Sequence, residues 1–260
     1  MMIEMRPLLG ASFGAEVLGG DILSERFFQR IERELIAAGV LLFRGVSLTS
    51  PQQLELMKRF GALASVAHKP ANSGRHPAMM ERSSLGNGDR GAMRIHSDQA
   101  YLPRPCVVSS LYCVQAAKRG GATFFADTRA ACDFLPRGIK AELKGHLALN
   151  CCGEDFCGNK TAHQSLHPIF RTHPVTRRKA IYVSRAMTKK IAGLPKGKSE
   201  RMLGALFAFQ EQARFIYIHV WSRQDLLLFD NRSVIHGRSG FDPREKRIVR
   251  LVMAGSERPL

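Results

Sequence analysis

The chain has 260 residues, 45% hydrophobic and 23% charged, enough for a substantial core and ordinary for a globular protein. Its 39 Lys and Arg against 22 Asp and Glu give a formal net charge of +17, which favours anionic partners, small or polymeric. No run approaches the roughly 18 apolar residues of a membrane span, and Met1 to Gly10 lacks a signal-peptide core, so the expectation is a cytoplasmic protein with no membrane partner.

Phe13 to Ile22 reads as extended, and Ser24 is placed to cap a helix running to about Ala38, stopped by Gly39. Val40 to Phe43 reads as a buried strand, and Thr49 with Pro51 opens a second helix that Gly61 stops. Ala67 to Arg94 loses periodicity and is rich in Gly, Asn, Ser and Arg, the composition of a binding loop or lid. Strands are expected at Cys106 to Val114 and Ala122 to Ala126, then helices at about Arg129 to Leu135 and Gly138 to Gly145. Residues 146 to 167 read as irregular. A strand at Ala180 to Val183 and a helix at Ser199 to Ala213 precede three strand signals, Phe215 to Trp221, Asp225 to His236 and Arg247 to Ala254. Helices gathered early and strands late point to an α+β fold in a single domain over 1–260.

Six cysteines without regular spacing, in a chain with no secretion signal, are expected to be free thiols. Cys151, Cys152 and Cys157 cluster but contain no C-x-x-C pair, and they are not expected to hold zinc. The basic residues are spread along the chain and no helix-turn-helix, zinc-finger or RNA-binding signature accompanies them, so nucleic acid is not the expected partner. A homo-oligomer is compatible with all of these features.

His96 and Asp98, two residues apart in an extended segment, present an imidazole and a carboxylate to one side. A second histidine, His236 at the end of a strand signal, would complete a two-His-one-carboxylate face with coordination positions left open. In order along the chain come His96-x-Asp98, Gly120-Gly121-Ala-Thr123, Trp221-x-x-x-Asp225, Asp230-Asn231-Arg232 and His236 followed by a basic strand. Leu41 to Gly45, Phe60-Gly61, His167-Pro168 and Arg171-Thr-His-Pro174 extend the pattern over nearly the whole chain. The set resembles the taurine dioxygenase (TauD/TfdA) family of Fe(II)- and 2-oxoglutarate-dependent oxygenases.

The resemblance implies a double-stranded β-helix, or jelly-roll, core with flanking helices, and Fe(II) held by His96, Asp98 and His236. It implies 2-oxoglutarate and O₂ as co-substrates, with decarboxylation to succinate and CO₂ coupled to oxidation of an unactivated C–H bond, most simply a hydroxylation. Thr123 matches the threonine that bonds the co-substrate carboxylate, Arg250 the arginine that pairs with it, and Lys246 a second cation, with Arg247 left open as an alternative. Strand parity groups 246, 248 and 250 on one face. His68 and Met187 fall where relatives contact the substrate, which the basic balance makes a small anionic or zwitterionic molecule. The alternative is a non-catalytic basic jelly-roll protein that binds nucleic acid or another polyanion.

Overall fold

The computed structural model describes residues 4–65, 76–83, 91–152, 163–242 and 244–260. Strands Glu4–Pro7 (β1) and Ala15–Leu18 (β2) pair antiparallel. Helix Glu25–Ala38 (α1) buries Phe27, Phe28, Ile31 and Leu35 at helical spacing, and Gly39 ends it at φ +81°. Val40–Phe43 (β3) is buried throughout. Helix Ser50–Lys58 (α2) starts from a capping box between Thr49 and Gln52, which satisfies two of its orphan N–H groups, and Pro51 in the first turn has no N–H to leave unpaired. Strands Met79–Ser83 (β4), Met93–His96 (β5), Val108–Gln115 (β6) and Thr123–Asp127 (β7) lead to helices Thr128–Phe134 (α3) and Arg137–Leu143 (α4). Then come Leu147–Cys151 (β8), Gln164–Pro168 (β9), Phe170–Thr172 (β10), Lys179–Ile181 (β11) and Thr188–Ile191 (β12). Helix Lys196–Gln210 (α5) precedes Ile216–His219 (β13), Leu226–Asp230 (β14), Val234–Arg238 (β15) and Ile248–Ala254 (β16).

A seven-stranded sheet, β1-β2-β3-β14-β6-β16-β4, faces a four-stranded sheet, β13-β7-β15-β5. Side-chain alternation sorts the strands of the larger sheet. Leu227, Phe229, Val249, Leu251 and Met253 point inward and pack with Phe125, Tyr217 and Val234 of the smaller sheet. Leu226, Leu228 and Val252 point outward and are covered by α1 and α2. Phe125 sits at the centre of the inner layer, fully buried, with ring centroids 5.2 Å from Phe229 and 6.2 Å from Tyr217. Truncating it to alanine removes about 3–5 kcal/mol of packing.

Four expectations need correction. The Asp225 to His236 signal is two strands: the Asp230 carboxylate accepts the Arg232 N–H at 3.0 Å, and the resulting turn sends β14 into one sheet and β15 into the other. Residues 146–167 include β8 and β9, paired from Leu147 opposite Pro168 to Cys151 opposite Gln164. Within the expected loop at 67–94, Met79–Ser83 forms β4 on the edge beside β16, while residues 66–75 and 84–90 lie outside the described residues. Cys106, Cys113, Cys132 and Cys151 are free thiols, but Cys152 is disulfide-bonded. Among the described residues no helix is long and apolar enough to cross a membrane.

Candidate active site

The two histidines meet because β5 and β15 are neighbours with His96 directly opposite His236, and their ring centroids lie 4.3 Å apart. Gly237 permits this pairing: a Cβ there would stand 2.5 Å from Phe124 Cζ and 2.8 Å from the Met93 carbonyl oxygen. The chain leaves β5 after His96 and turns at Asp98, with Gln99 in the left-handed region at φ +56°. Asp98 Oδ1 then lies 3.6 Å from His96 Nε2 and 4.0 Å from His236 Nε2. Ligand atoms of all three residues fall within 4.8 Å of one another, all buried.

The surroundings orient these donors. His96 Nδ1 donates to the Arg94 carbonyl at 2.9 Å, which turns the ring so that Nε2 faces Asp98. Asp98 Oδ2 accepts from the Ser109 hydroxyl at 2.7 Å, which leaves Oδ1 for the centre of the trio. Asn231, in the turn between β14 and β15, clamps the Asp98 backbone: its Oδ1 accepts from Asp98 N at 2.8 Å, and its Nδ2 donates to Asp98 O and Cys106 O, both at 2.9 Å. Burial acts to raise the Asp98 pKa, but His236, His96 and the Ser109 hydroxyl outweigh it and hold the carboxyl well below the usual carboxylate range. Two imidazole nitrogens and one carboxylate oxygen thus converge, a donor set that suits a divalent first-row metal and leaves one side of it open.

A cavity opens on that side, walled by Met93, Leu111, Val249 and Leu251 and carrying three further polar side chains, Thr123, Arg238 and Arg247. Both arginines are almost fully buried, and their guanidinium carbons lie 5.5 Å (Arg238) and 5.7 Å (Arg247) from the Phe241 ring centroid. Arg247 Nε donates to the Gly121 carbonyl at 3.3 Å. Gly121 adopts φ +68°, and a Cβ there would stand 3.0 Å from the Arg247 side chain, so glycine makes room for it. Arg238 Nη2 donates to Gly91 O at 2.5 Å.

The anchors expected on the last strand are corrected. Arg250 does not line the cavity. Val249, Leu251 and Met253 take the inward face, so Arg250 is turned outward, where it bonds Ser50 Oγ at 2.7 Å and Leu48 O at 2.5 Å and lies over the Tyr112 ring. Lys246 is exposed. Arg247 has the inward parity, and it is the cation that enters. Met187 is buried with Ala100, Tyr101, Tyr182 and Ala186 in a separate cluster, away from the cavity lining. His68 lies outside the described residues. Arg238 had a legible signal, since it is two residues beyond His236 on the same strand and therefore on the same face. Asn231 and Trp221 stand in motifs legible in the sequence, but the hydrogen bonds through which they and Ser109 act are not.

Two facing sheets with a two-His-one-carboxylate set between them and an open side define a mononuclear non-haem metal protein of the oxygenase type. The family model described as "Taurine catabolism dioxygenase TauD, TfdA family" matches residues 4–253, and the chain belongs to that family. It is 30% identical to an alpha-ketoglutarate-dependent 2,4-dichlorophenoxyacetate dioxygenase of Cupriavidus pinatubonensis, over 88% of this chain and 89% of that one. It is 26% identical to a pentalenolactone F synthase of Streptomyces arenae, over 97% and 95%. Among solved structures, AAD-2 in complex with Mn(II) and N-oxalylglycine superposes with a TM-score of 0.85 at 26% identity, covering 100% of this chain and 99% of that one. A taurine dioxygenase from Burkholderia xenovorans superposes with a TM-score of 0.86 at 23% identity, over 99% and 91%, and speaks to the fold alone.

Proposed function

We propose that this chain is an Fe(II)- and 2-oxoglutarate-dependent dioxygenase that hydroxylates an unactivated C–H bond of a small substrate and releases succinate and CO₂. One observation carries it: His96, Asp98 and His236 converge within 4.8 Å beside a cavity that also holds a buried arginine, Arg247, and a buried threonine, Thr123. The facing sheets are the two walls of a double-stranded β-helix, and the chain forms one catalytic domain.

His96, Asp98 and His236 are the ligands that fit Fe(II), three donors with open positions on the cavity side. When bound, the metal supplies the redox chemistry that couples decarboxylation of 2-oxoglutarate by O₂ to C–H oxidation. The rest falls to side chains. Arg247 offers a planar fork of donors to the distal carboxylate of 2-oxoglutarate, and Thr123 a hydroxyl. Leu111, Val249 and Leu251 line the cavity with apolar surface and keep water away from that charge pair. Ser109 and Asn231 hold Asp98 in the orientation the ligand set needs.

Arg238 is a second buried cation on the cavity wall and favours an anionic or zwitterionic prime substrate. The names of two relatives point the same way, since dichlorophenoxyacetate and phenoxypropionate are both carboxylates. The test is anaerobic addition of 2-oxoglutarate to the Fe(II)-loaded protein. A weak visible charge-transfer band is expected, and its absence from protein that demonstrably binds Fe(II) would remove the proposal.

A further inference from the structure

Among the described residues, no protein group takes the hydrogen of the Thr123 hydroxyl. Its Oγ1 accepts the indole N–H of Trp221 at 3.0 Å, and the residue is 2% exposed on the cavity wall. A threonine hydroxyl has one hydrogen to give and two lone pairs to accept with. An indole nitrogen only donates, so Trp221 engages a lone pair and never the hydrogen. Among the described residues no other hydrogen bond to Thr123 Oγ1 is made, and the open direction is the cavity.

Trp221 is itself held in place. Its ring meets His219 edge to face, with centroids 4.5 Å apart at 88°. His219 is pinned at both nitrogens, Nε2 at 3.1 Å from Asp225 Oδ2 and Nδ1 at 2.9 Å from the Tyr217 hydroxyl. Asp225 Oδ2 also accepts from Arg44 Nη1 at 2.7 Å and from Ser222 N at 2.8 Å. With Nε2–H given to Asp225, Nδ1 is left to accept from Tyr217, so one tautomer satisfies both contacts. Burial pushes the His219 pKa down, in keeping with a neutral ring.

We infer that Trp221 is a positioning residue for the co-substrate: it fixes the Thr123 hydroxyl as a hydrogen-bond donor toward the distal carboxylate of 2-oxoglutarate. The chain Tyr217–His219–Asp225–Arg44 holds the indole in that pose. An ionised carboxylate accepts only, so a hydroxyl free to rotate would spend part of its time presenting a lone pair to it. Trp221 takes up one of the two lone pairs and bars the rotamer that aims the hydrogen at the indole, so the hydrogen is left to be given to the carboxylate. The inference rests on the co-substrate pocket proposed above, and Trp221 acts through Thr123 without meeting the ligand.

Trp221 is the only tryptophan, so a protein labelled at the indole nitrogen gives one indole N–H resonance. With Zn(II) as a diamagnetic occupant of the metal site, 2-oxoglutarate should move this resonance downfield. A hydroxyl that donates its hydrogen becomes a stronger acceptor, and the indole bond shortens. In Thr123→Val the resonance should respond little. Calorimetric titration of the Zn(II) protein should show the 2-oxoglutarate Kd raised roughly 10- to 100-fold in Thr123→Val and roughly 3- to 10-fold in Trp221→Phe. The double variant should be no worse than Thr123→Val alone, since both changes act through one hydroxyl, and Zn(II) affinity should be unchanged in all three. An unmoved resonance in the native protein, an unchanged Kd in Trp221→Phe, or independent losses in the double variant would overturn the role of Trp221. Native affinity in Thr123→Val would instead remove the co-substrate pocket, and the inference with it. If Trp221→Phe fails to fold, the resonance of the native protein decides.

Discussion

Arg247 and Arg250 are three residues apart on one stretch of chain, yet their removal should have effects of different kinds. Arg247 is 4% exposed, so a co-substrate carboxylate paired with it is largely withdrawn from water. In Arg247→Ala that charge is left unpaired, at about 2–5 kcal/mol. This corresponds to roughly 30- to 4,000-fold in the 2-oxoglutarate Kd. Arg250 instead ties the start of α2 and the residues before it to β16, through Ser50 Oγ at 2.7 Å and Leu48 O at 2.5 Å, and lies 4.4 Å from the Tyr112 ring centroid of β6. Arg250→Ala should lower unfolding free energy by about 2–4 kcal/mol and leave co-substrate affinity near native. Anaerobic titration of the Fe(II) protein with 2-oxoglutarate, read in the visible band, gives the first quantity, and urea unfolding gives the second. Weaker 2-oxoglutarate binding in Arg250→Ala than in Arg247→Ala, with stability untouched, would refute the facing of the last strand.

Asn231→Ala removes all three side-chain bonds that clamp the Asp98 and Cys106 backbones, and should raise the metal dissociation constant roughly 10- to 100-fold, as measured by competition with a chromophoric chelator. Gly237→Ala places a Cβ 2.8 Å from the Met93 carbonyl oxygen and should push β5 off β15, so metal affinity should fall although no ligand has changed; native affinity would show that the strands accommodate the methyl group. At Asp230 burial raises the pKa, but His173 and Arg232 outweigh it and hold the carboxyl well below the carboxylate range. A depressed folded pKa contributes stability that is present above the unfolded value of about 4 and is lost as pH falls toward the folded one. The stability gap between the native protein and Asp230→Asn should therefore narrow between about pH 5 and about pH 3 in urea unfolding.

The elements that could be read from sequence are those whose local pattern and tertiary role agree. α2 carries its cap and α1 its Gly39 stop in the chain, both with apolar faces, although Ser24 makes no capping bond and its hydroxyl donates to the Asp21 carbonyl instead; β3 is a short run buried on both sides. β8 and β9 were missed because residues with weak strand propensity are held there by each other across a paired register. Asp225 to His236 reads as one strand because its hydrophobic signal runs on through the break, and only the Asp230–Arg232 turn divides it between sheets. The metal trio was legible because its residue types are distinctive. The Arg250 assignment failed because grouping residues by parity does not say which face is inside. That is decided by Val249, Leu251 and Met253 packing against Phe125 and its neighbours across the sheets.

The placement of the trio has a thermodynamic consequence that needs no substrate to test. His96 and His236 stand on the four-stranded sheet, while Asp98 is bonded to Ser109 of β6 in the seven-stranded sheet. A cation held by all three therefore staples one sheet to the other. The staple exists only in the folded chain, so free metal at 100 times its dissociation constant should add about 2.7 kcal/mol to stability. Unfolding entropy of about 2.1 cal/mol/K per residue over 260 residues gives roughly 0.5 kcal/mol per degree, so the midpoint should rise by about 5 °C. Ser109→Ala loosens the Asp98 end of the staple, and a roughly tenfold loss of affinity would halve the rise at the same free metal concentration. Thermal melts followed by circular dichroism, with Mn(II) and with chelator, read both quantities. Coincident melts of the native protein with and without metal would mean that the three residues do not act as one site. An undiminished rise in Ser109→Ala would mean that Asp98 is positioned without the second sheet.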